Sequence, residues 1–175
     1  GSDAVFEAAI ARSGMLRVNS LQDLFLATET LSRFRDGPSE GLIVLTNGGG
    51  AGVMAADAAA AEGVPLTTLS LDVLKKLDAV LPPNWSHSNP VDIIGDAPVT
   101  RYVDAMQILN DDAAVGAVLF IHAPTAIVPS ADIARALVPL AASKAGMPPH
   151  VMSCWLGDHA VEQARQIFQD AGIAD

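Results

Sequence analysis

Between Gly41 and Asp57 the chain reads Gly-Leu-Ile-Val-Leu-Thr-Asn-Gly-Gly-Gly-Ala-Gly-Val-Met-Ala-Ala-Asp, an apolar β-type run that breaks into glycines and continues as a helix. Ile43, Val44 and Leu45 are uninterrupted and partly β-branched, the pattern of a strand buried on both faces in a parallel sheet. Asn47 and Gly48-Gly49-Gly50 free the backbone to take positive φ and remove the side chains that would hold a ligand off. The helix that follows aims its first, unpaired N–H groups at the loop, and its dipole favours negative charge there. This loop is therefore expected to be an anion or carboxylate site. No Lys or Arg lies between Gly41 and Lys75, so an anion held there would rest on backbone amides.

After this stretch strand and helix patterns alternate, which argues for βαβ units and a parallel sheet. The expected strands cover residues 43–45, 66–69, 91–94, 115–121 and 150–155. Right-handed crossovers then give an α/β, doubly wound, five-stranded flavodoxin-like sheet of order 2-1-3-4-5. Ahead of it lies a helical arm, residues 1–38, with the sheet domain over 39–175. The arm reads as a helix from Asp3 to Arg12 capped by Ser2, and a second from Leu21 to Phe34 with Ser20 and Asp23 as a capping box. Residues 36–41 close it. Ser70 caps a helix that Pro82-Pro83 stop, Pro139 should end or kink the helix begun at Ser130, and Asp158 is expected to cap the last one. In such sheets ligands sit outside the carboxyl ends of the strands. Three loops should meet there: Asn47 to Gly50, Gly95-Asp96, and Ala123 to Ala126.

Composition narrows the function. The chain has 175 residues, half of them apolar, enough for a single α/β core. Twenty acidic against ten basic residues, a formal charge of −10, argue against nucleic acid or an anionic membrane as partner. No apolar run is long enough to span a membrane and no secretory leader is evident, so the expected location is cytoplasmic. One cysteine, Cys154, and four histidines at no ligand spacing point to no disulfide and no metal. Gly50-x-Gly52-x-x-Ala55 matches a dinucleotide pattern with Asp72 further on, but Asp72 falls beyond the second strand. Neither a phosphate-binding G-x-x-x-x-G-K-[ST] nor a G-x-S-x-G elbow occurs. Ser86, His87 and Asp92 are triad types crowded onto one loop, where mutual reach is poor. His122, closing the fourth strand, is either a donor to a ligand or a satisfied strand-end histidine.

The segments Gly-Ser-Asp-Ala-Val-Phe-Glu-Ala-Ala, Leu-Thr-Asn-Gly-Gly-Gly-Ala-Gly-Val-Met-Ala-Ala-Asp and Leu-Pro-Pro-Asn-Trp-Ser-His-Ser-Asn-Pro-Val-Asp-Ile-Ile-Gly-Asp-Ala, in that order, resemble the NDP-forming acyl-CoA synthetase family. That family includes ADP-forming acetyl-CoA synthetase and, more distantly, succinyl-CoA synthetase. The resemblance covers essentially the whole chain. The second and third segments look most like bacterial proteins in which the synthetase module is fused to a GNAT acetyltransferase.

The resemblance implies the reaction acyl-CoA, NDP and phosphate to acid, CoA and NTP, through an acyl phosphate and a mobile phosphohistidine. It implies a second flavodoxin-like domain that works with CoA-binding, phosphohistidine and ATP-grasp domains. CoA, ATP/ADP and Mg would serve the parent enzyme, with none tightly bound to this chain. The phosphohistidine would lie just upstream of Gly1, so no catalytic role passes to His87, His122, His150 or His159. What carries over is a phosphate/acyl site at Asn47, Gly48, Gly49, Gly50, Pro124, Thr125 and Ala126, supported by Asp92, Gly95 and Asp96. Pro124-Thr125 stand where relatives have paired glycines, and proline offers no amide. Both ends are expected to be cut from a longer polypeptide. A non-catalytic acyl-CoA-sensing or scaffold role beside an acetyltransferase is the alternative.

Overall fold

The computed structural model describes residues 2–33, 41–142 and 150–175, the side chain of Arg33 excepted. The chain divides into two compact units, residues 1–35 and 36–175.

The first unit carries α1 (Asp3–Arg12) and α2 (Leu21–Arg33). Arg17 ties α1 to the link after it: its guanidinium pairs with Asp3 at 2.7 Å and with Glu7, and lies 5.5 Å over the Phe6 ring. Ser20 accepts the Asp23 N–H at 3.0 Å, as the capping-box pattern requires, whereas Ser2 makes no side-chain cap bond. Phe34 and the closing turn, Gly41 apart, lie outside the described residues.

The second unit runs β1 (Leu42–Thr46), α3 (Gly49–Ala61), α4 (Leu71–Val80), β2 (Val91–Asp92), α5 (Val99–Asn110), β3 (Ala117–His122), α6 (Ser130–Ala141), β4 (His150–Trp155) and α7 (Glu162–Asp170). All sheet pairings are parallel, in the order β2-β1-β3-β4. Ile43 and Leu45 join Val118, Phe120, Val151 and Trp155 in a core closed by α4 to α7, which pack side by side. Thr46 points to the opposite face, toward Gly52 of α3. Helices thus cover both faces, as a doubly wound α/β sheet demands.

Strand number and order differ from the expectation of five strands in the order 2-1-3-4-5. Residues 66–69 contribute one bridge, Leu66 to Leu42, and Val91–Asp92 pairs with Leu45 and Thr46 on that same flank of β1. β3 therefore lies directly against β1. Two short segments share one edge, and the side chain of Asn89 fills the junction between them. Its Oδ1 accepts the Val44 N–H at 3.0 Å, and its Nδ2 donates to the Leu42 and Thr67 carbonyls, each at 2.9 Å. A carboxamide, with donors and acceptor in one group, supplies what a peptide would have supplied there.

Two helix limits also shift. Pro139 lies inside α6, two residues before its end, and does not break it. α7 starts at Glu162 after Val161, so Asp158 is not its cap; only its carbonyl serves, accepting the Val161 N–H. Ser70 does cap α4, accepting the Val73 N–H at 3.2 Å.

Candidate functional site

At the carboxyl end of β1 the side chain of Asn47 is buried, and its amide is spoken for. Nδ2 donates to the Ala123 carbonyl and Oδ1 accepts the Ala123 N–H, both at 2.8 Å. The side chain locks the ends of β1 and β3 together and leaves only its backbone to any ligand. Gly48 caps α3 in extended conformation, φ −128°, with its N–H donated to Thr46 Oγ1 at 3.0 Å.

The glycines do not serve positive φ, contrary to the sequence reading: the described positive-φ glycines are Gly14, Gly41, Gly63, Gly157 and Gly172. They serve space. A Cβ on Gly48 would stand 3.0 Å from Ala123 Cβ, one on Gly49 2.8 Å from Asp92 Oδ2, and one on Gly52 3.2 Å from Pro90 Cβ. A Cβ on Gly50 would meet nothing within 4 Å beyond its own helix. The first turn of α3 is thus tightly flanked at Gly49 and open at Gly50. It has no acidic residue and no side-chain cap, so its first amides lack the partners that usually satisfy a helix start.

The loop after β2 is held by side chains. Ser86 Oγ accepts the Asp92 N–H at 2.9 Å and donates to the Pro90 carbonyl at 2.6 Å. Asp92 Oδ1 accepts the Ile94 N–H at 2.9 Å, which holds Ile94 at φ +69°, a region β-branched residues rarely enter. Gly95 stands beside Asn47, its Cβ position 3.6 Å from the Asn47 carbonyl. Asp96 instead turns to Arg101, whose Nη1 also donates to the Ile93 carbonyl at 3.1 Å. Arg101 lies outside the three loops that the sequence pattern singles out. The spacing from Asp96 into the following helix was the signal available.

After β3, His122 is fully buried, with Nε2 3.0 Å from Ser130 Oγ and Nδ1 3.5 Å from the Tyr102 hydroxyl. The rings of Phe120, Tyr102 and Trp155 surround it, and burial lowers its pKa to about 4. It is the satisfied strand-end histidine, and its bond to buried Ser130 ties the start of α6 to β3. Residues 124–126 do not open α6, which begins at Ser130 after Pro129; their amides are loop amides, not those of a first helical turn. Pro124 packs by the Gly157 loop, at 3.3 Å from its Cβ position, and Thr125 Oγ1 accepts the Ile127 N–H at 3.4 Å.

The structure therefore gathers Asn47, Gly48, Gly49, Asp92, Gly95 and Ala123 at one edge. Pro124, Thr125, Ala126 and Asp96 are on the same loops, and among the described residues no hydrogen bond joins them to the glycine turn. The rival chemistries find no geometry. His87 faces Asp78 Oδ1 and the Pro83 carbonyl, each at 3.0 Å, rather than Ser86 or Asp92. Asp72 pairs with Lys76 on α4, while Gly50 and Gly52 lie within α3. Among the described residues no group of His, Cys, Asp and Glu suits a metal ion, and no helix is long and apolar enough to cross a membrane. A cleft of about 200 Å³ by residues 66–69 and His87 to Asn89, and one of about 250 Å³ on α7, both leave out the glycine turn.

Residues 42–175 match the Ligase-CoA domain family. The chain is 35% identical over 173 residues to an ADP-forming acetate–CoA ligase I of Archaeoglobus fulgidus, covering 99% of this chain and 24% of that protein. It is 33% identical over 138 residues to the α subunit of the ADP-forming acetate–CoA ligase I of Pyrococcus furiosus, 79% of this chain and 30% of that subunit. The dinucleotide forming acetyl-coenzyme A synthetase 1 of Ca. Korarchaeum cryptofilum, solved in complex with phosphate and ADP, superposes with a TM-score of 0.88. It shares 32% identity, over 99% of this chain and 37% of that one. This chain thus spans roughly a quarter to a third of the length of these proteins.

Proposed function

This chain belongs to the Ligase-CoA domain family, and we propose from that premise that it supplies part of the phosphate/acyl site of an NDP-forming acyl-CoA synthetase. The parent reaction would take acyl-CoA, NDP and phosphate to acid, CoA and NTP, through an acyl phosphate and a phosphohistidine carried outside this chain. The observation that carries the reading is the start of α3: unfilled first-turn amides, no side-chain cap, and open space at Gly50.

There the amides of Gly49 and Gly50 would hold phosphoryl or carboxylate oxygens, with the helix dipole favouring negative charge. With no lysine in the turn, binding is weak and release easy, as suits a site visited by a mobile group. Asn47 contributes by keeping the β1 and β3 ends in register, and residues 124–126 by lining the same edge. CoA and nucleotide would be held by CoA-binding and ATP-grasp domains. Among the described residues no group of His, Cys, Asp and Glu offers a ligand set for Mg. The α subunit among the relatives supports partner domains, as do Val53 and Met54, 59% and 74% exposed on the outer side of α3. The named relatives are ligases, which favours ligation over a sensing role beside an acetyltransferase. Residues 1–38 would be the arm joining this domain to its neighbours, in a cytoplasmic enzyme.

The test is nucleotide formation from acyl-CoA, NDP and phosphate. The parent enzyme should lose turnover on Gly50→Val while remaining folded, and the isolated chain should form no nucleotide. Full turnover in a folded Gly50→Val parent would overturn the site.

A further inference from the structure

Residues 1–35 carry apolar faces without a core. No residue from Ser2 to Ser32 is buried, and Phe6, Leu16, Leu21, Leu24, Phe25 and Leu31 all stand exposed, Leu21 at 74% and Phe25 at 72%. Leu21, Leu24, Phe25 and Leu31 share one face of α2, the pattern by which a helix lies on a core. A unit of this size cannot bury such a surface by itself. α1 closes at Gly14, φ +65°, where the Met15 N–H donates to the Ile10 carbonyl at 3.2 Å. Met15-Leu16-Arg17-Val18 then enters neither helix nor strand. Among the described residues the peptide groups of Leu16, Arg17 and Val18 have no hydrogen-bond partner. Arg17 nevertheless fixes the segment against α1 through Asp3, Glu7 and the Phe6 ring. A held, mostly apolar run with its peptide groups unpaired is what an edge strand presents.

We propose that residues 3–33 are an α–β–α piece of a neighbouring α/β domain of the parent chain: residues 15–18 join the edge of that domain's parallel β-sheet, and α1 and α2 lay their apolar faces on it. A strand entered from one helix and left by another is the connection of a parallel sheet, and such sheets are covered by helices. The partner is polypeptide outside this chain for two reasons. The Ligase-CoA match begins at residue 42 and leaves the arm out, whereas the A. fulgidus ligase matches over 99% of this chain, arm included, with 24% of its own length. A second copy would bring only the same four residues, and a two-stranded pairing is marginal in water. The arm then belongs to the neighbouring domain rather than tethering it, whatever the glycine turn binds.

Hydrogen exchange, read by mass spectrometry on peptides spanning residues 14–20 and 21–33, tests this in the 175-residue chain and in the parent enzyme. In the chain alone Leu16 to Val18 should exchange as an unstructured peptide does. In the parent the same peptide should exchange on the order of a hundredfold more slowly, with α2 slowed alongside it. Equal exchange of residues 14–20 in the two proteins overturns the proposal, as does slowing confined to α2, which would mean a docked helix and no added strand. Protection in the chain alone that grows with protein concentration would make a second copy the partner and overturns it as well. Leu16→Asp in the parent should abolish the protection of both peptides, while the sheet domain of the Leu16→Asp chain melts as the wild type does. A folded parent variant that keeps its protection refutes the added strand. The two wild-type proteins decide the matter if the variant parent does not fold.

Discussion

The carboxamide of Asn47 and the main chain of Ala123 hydrogen-bond in both directions at 2.8 Å, joining residues 76 positions apart as one peptide group would join another. Two strand ends at the proposed site are held in register by a side chain.

Asn47→Asp tests that clasp at minimal change in shape. The acceptor for the Ala123 N–H is kept, but a carboxylate oxygen replaces the donor opposite the Ala123 carbonyl. Stability should fall by about 2–3 kcal/mol, the cost of a buried carbonyl left unpaired and facing charge. Urea unfolding of the two proteins reads it, and a loss below a few tenths of a kcal/mol would mean the bonds are expendable.

Gly49→Ala and Gly50→Ala should act oppositely. At Gly50 the space is open and φ is not positive, so alanine should stabilise the helix by about 0.5–1 kcal/mol. At Gly49 the new Cβ meets Asp92 Oδ2 at 2.8 Å, and overpacking of that kind costs roughly 1–3 kcal/mol. In a double-mutant cycle Asp92→Ala should relieve most of the Gly49→Ala loss. Thermal melts of the four proteins supply the numbers, and additive effects would refute the contact.

Asn89→Ala removes a group that serves three backbone partners, Val44, Leu42 and Thr67. The expected loss is about 3 kcal/mol, since two of those partners lie on β1 and an unpaired buried group costs roughly 1–3 kcal/mol. Hydrogen exchange should locate the damage, with protection lost at the Val44 amide before it is lost in β4.

The buried His122 sets a pH dependence of known sign. Its pKa falls from the ordinary 6.5 to about 4 on folding, so the unfolded chain binds the extra proton between these values. Its contribution is complete above pH 6.5, declines as pH falls, and is spent near pH 4; its full span is on the order of 3 kcal/mol. Urea unfolding at pH 7.5, 5.5 and 4.5 should therefore show a slope that His122→Gln lacks. Parallel slopes in the two proteins would place the acid sensitivity elsewhere.

Short-range pattern was sufficient for much of this protein. The partly β-branched run at Ile43 to Leu45 and the segment His150 to Trp155 announce strands, Ser20 and Ser70 announce helix starts, and the glycines mark where β1 gives way to α3. Each of these is decided by neighbours within a turn or a pleat, and the order of the motifs carried the family. What the chain could not disclose locally is how its two motif segments interlock: Asn89 completing β1, Pro90 against Gly52, Asp92 against Gly49. Those contacts span some 40 residues and substitute a side chain for a strand, so periodicity expected five strands and missed the direct pairing of β1 with β3. The same limit explains the glycines, read as sites of positive φ but required for room that only the folded β2 loop takes up. Arg101 and the aromatic enclosure of His122 likewise exist only once α5 and β4 are packed beside β3. Backbone pattern determines which elements form; side-chain reach between distant elements decides which groups remain free at the site.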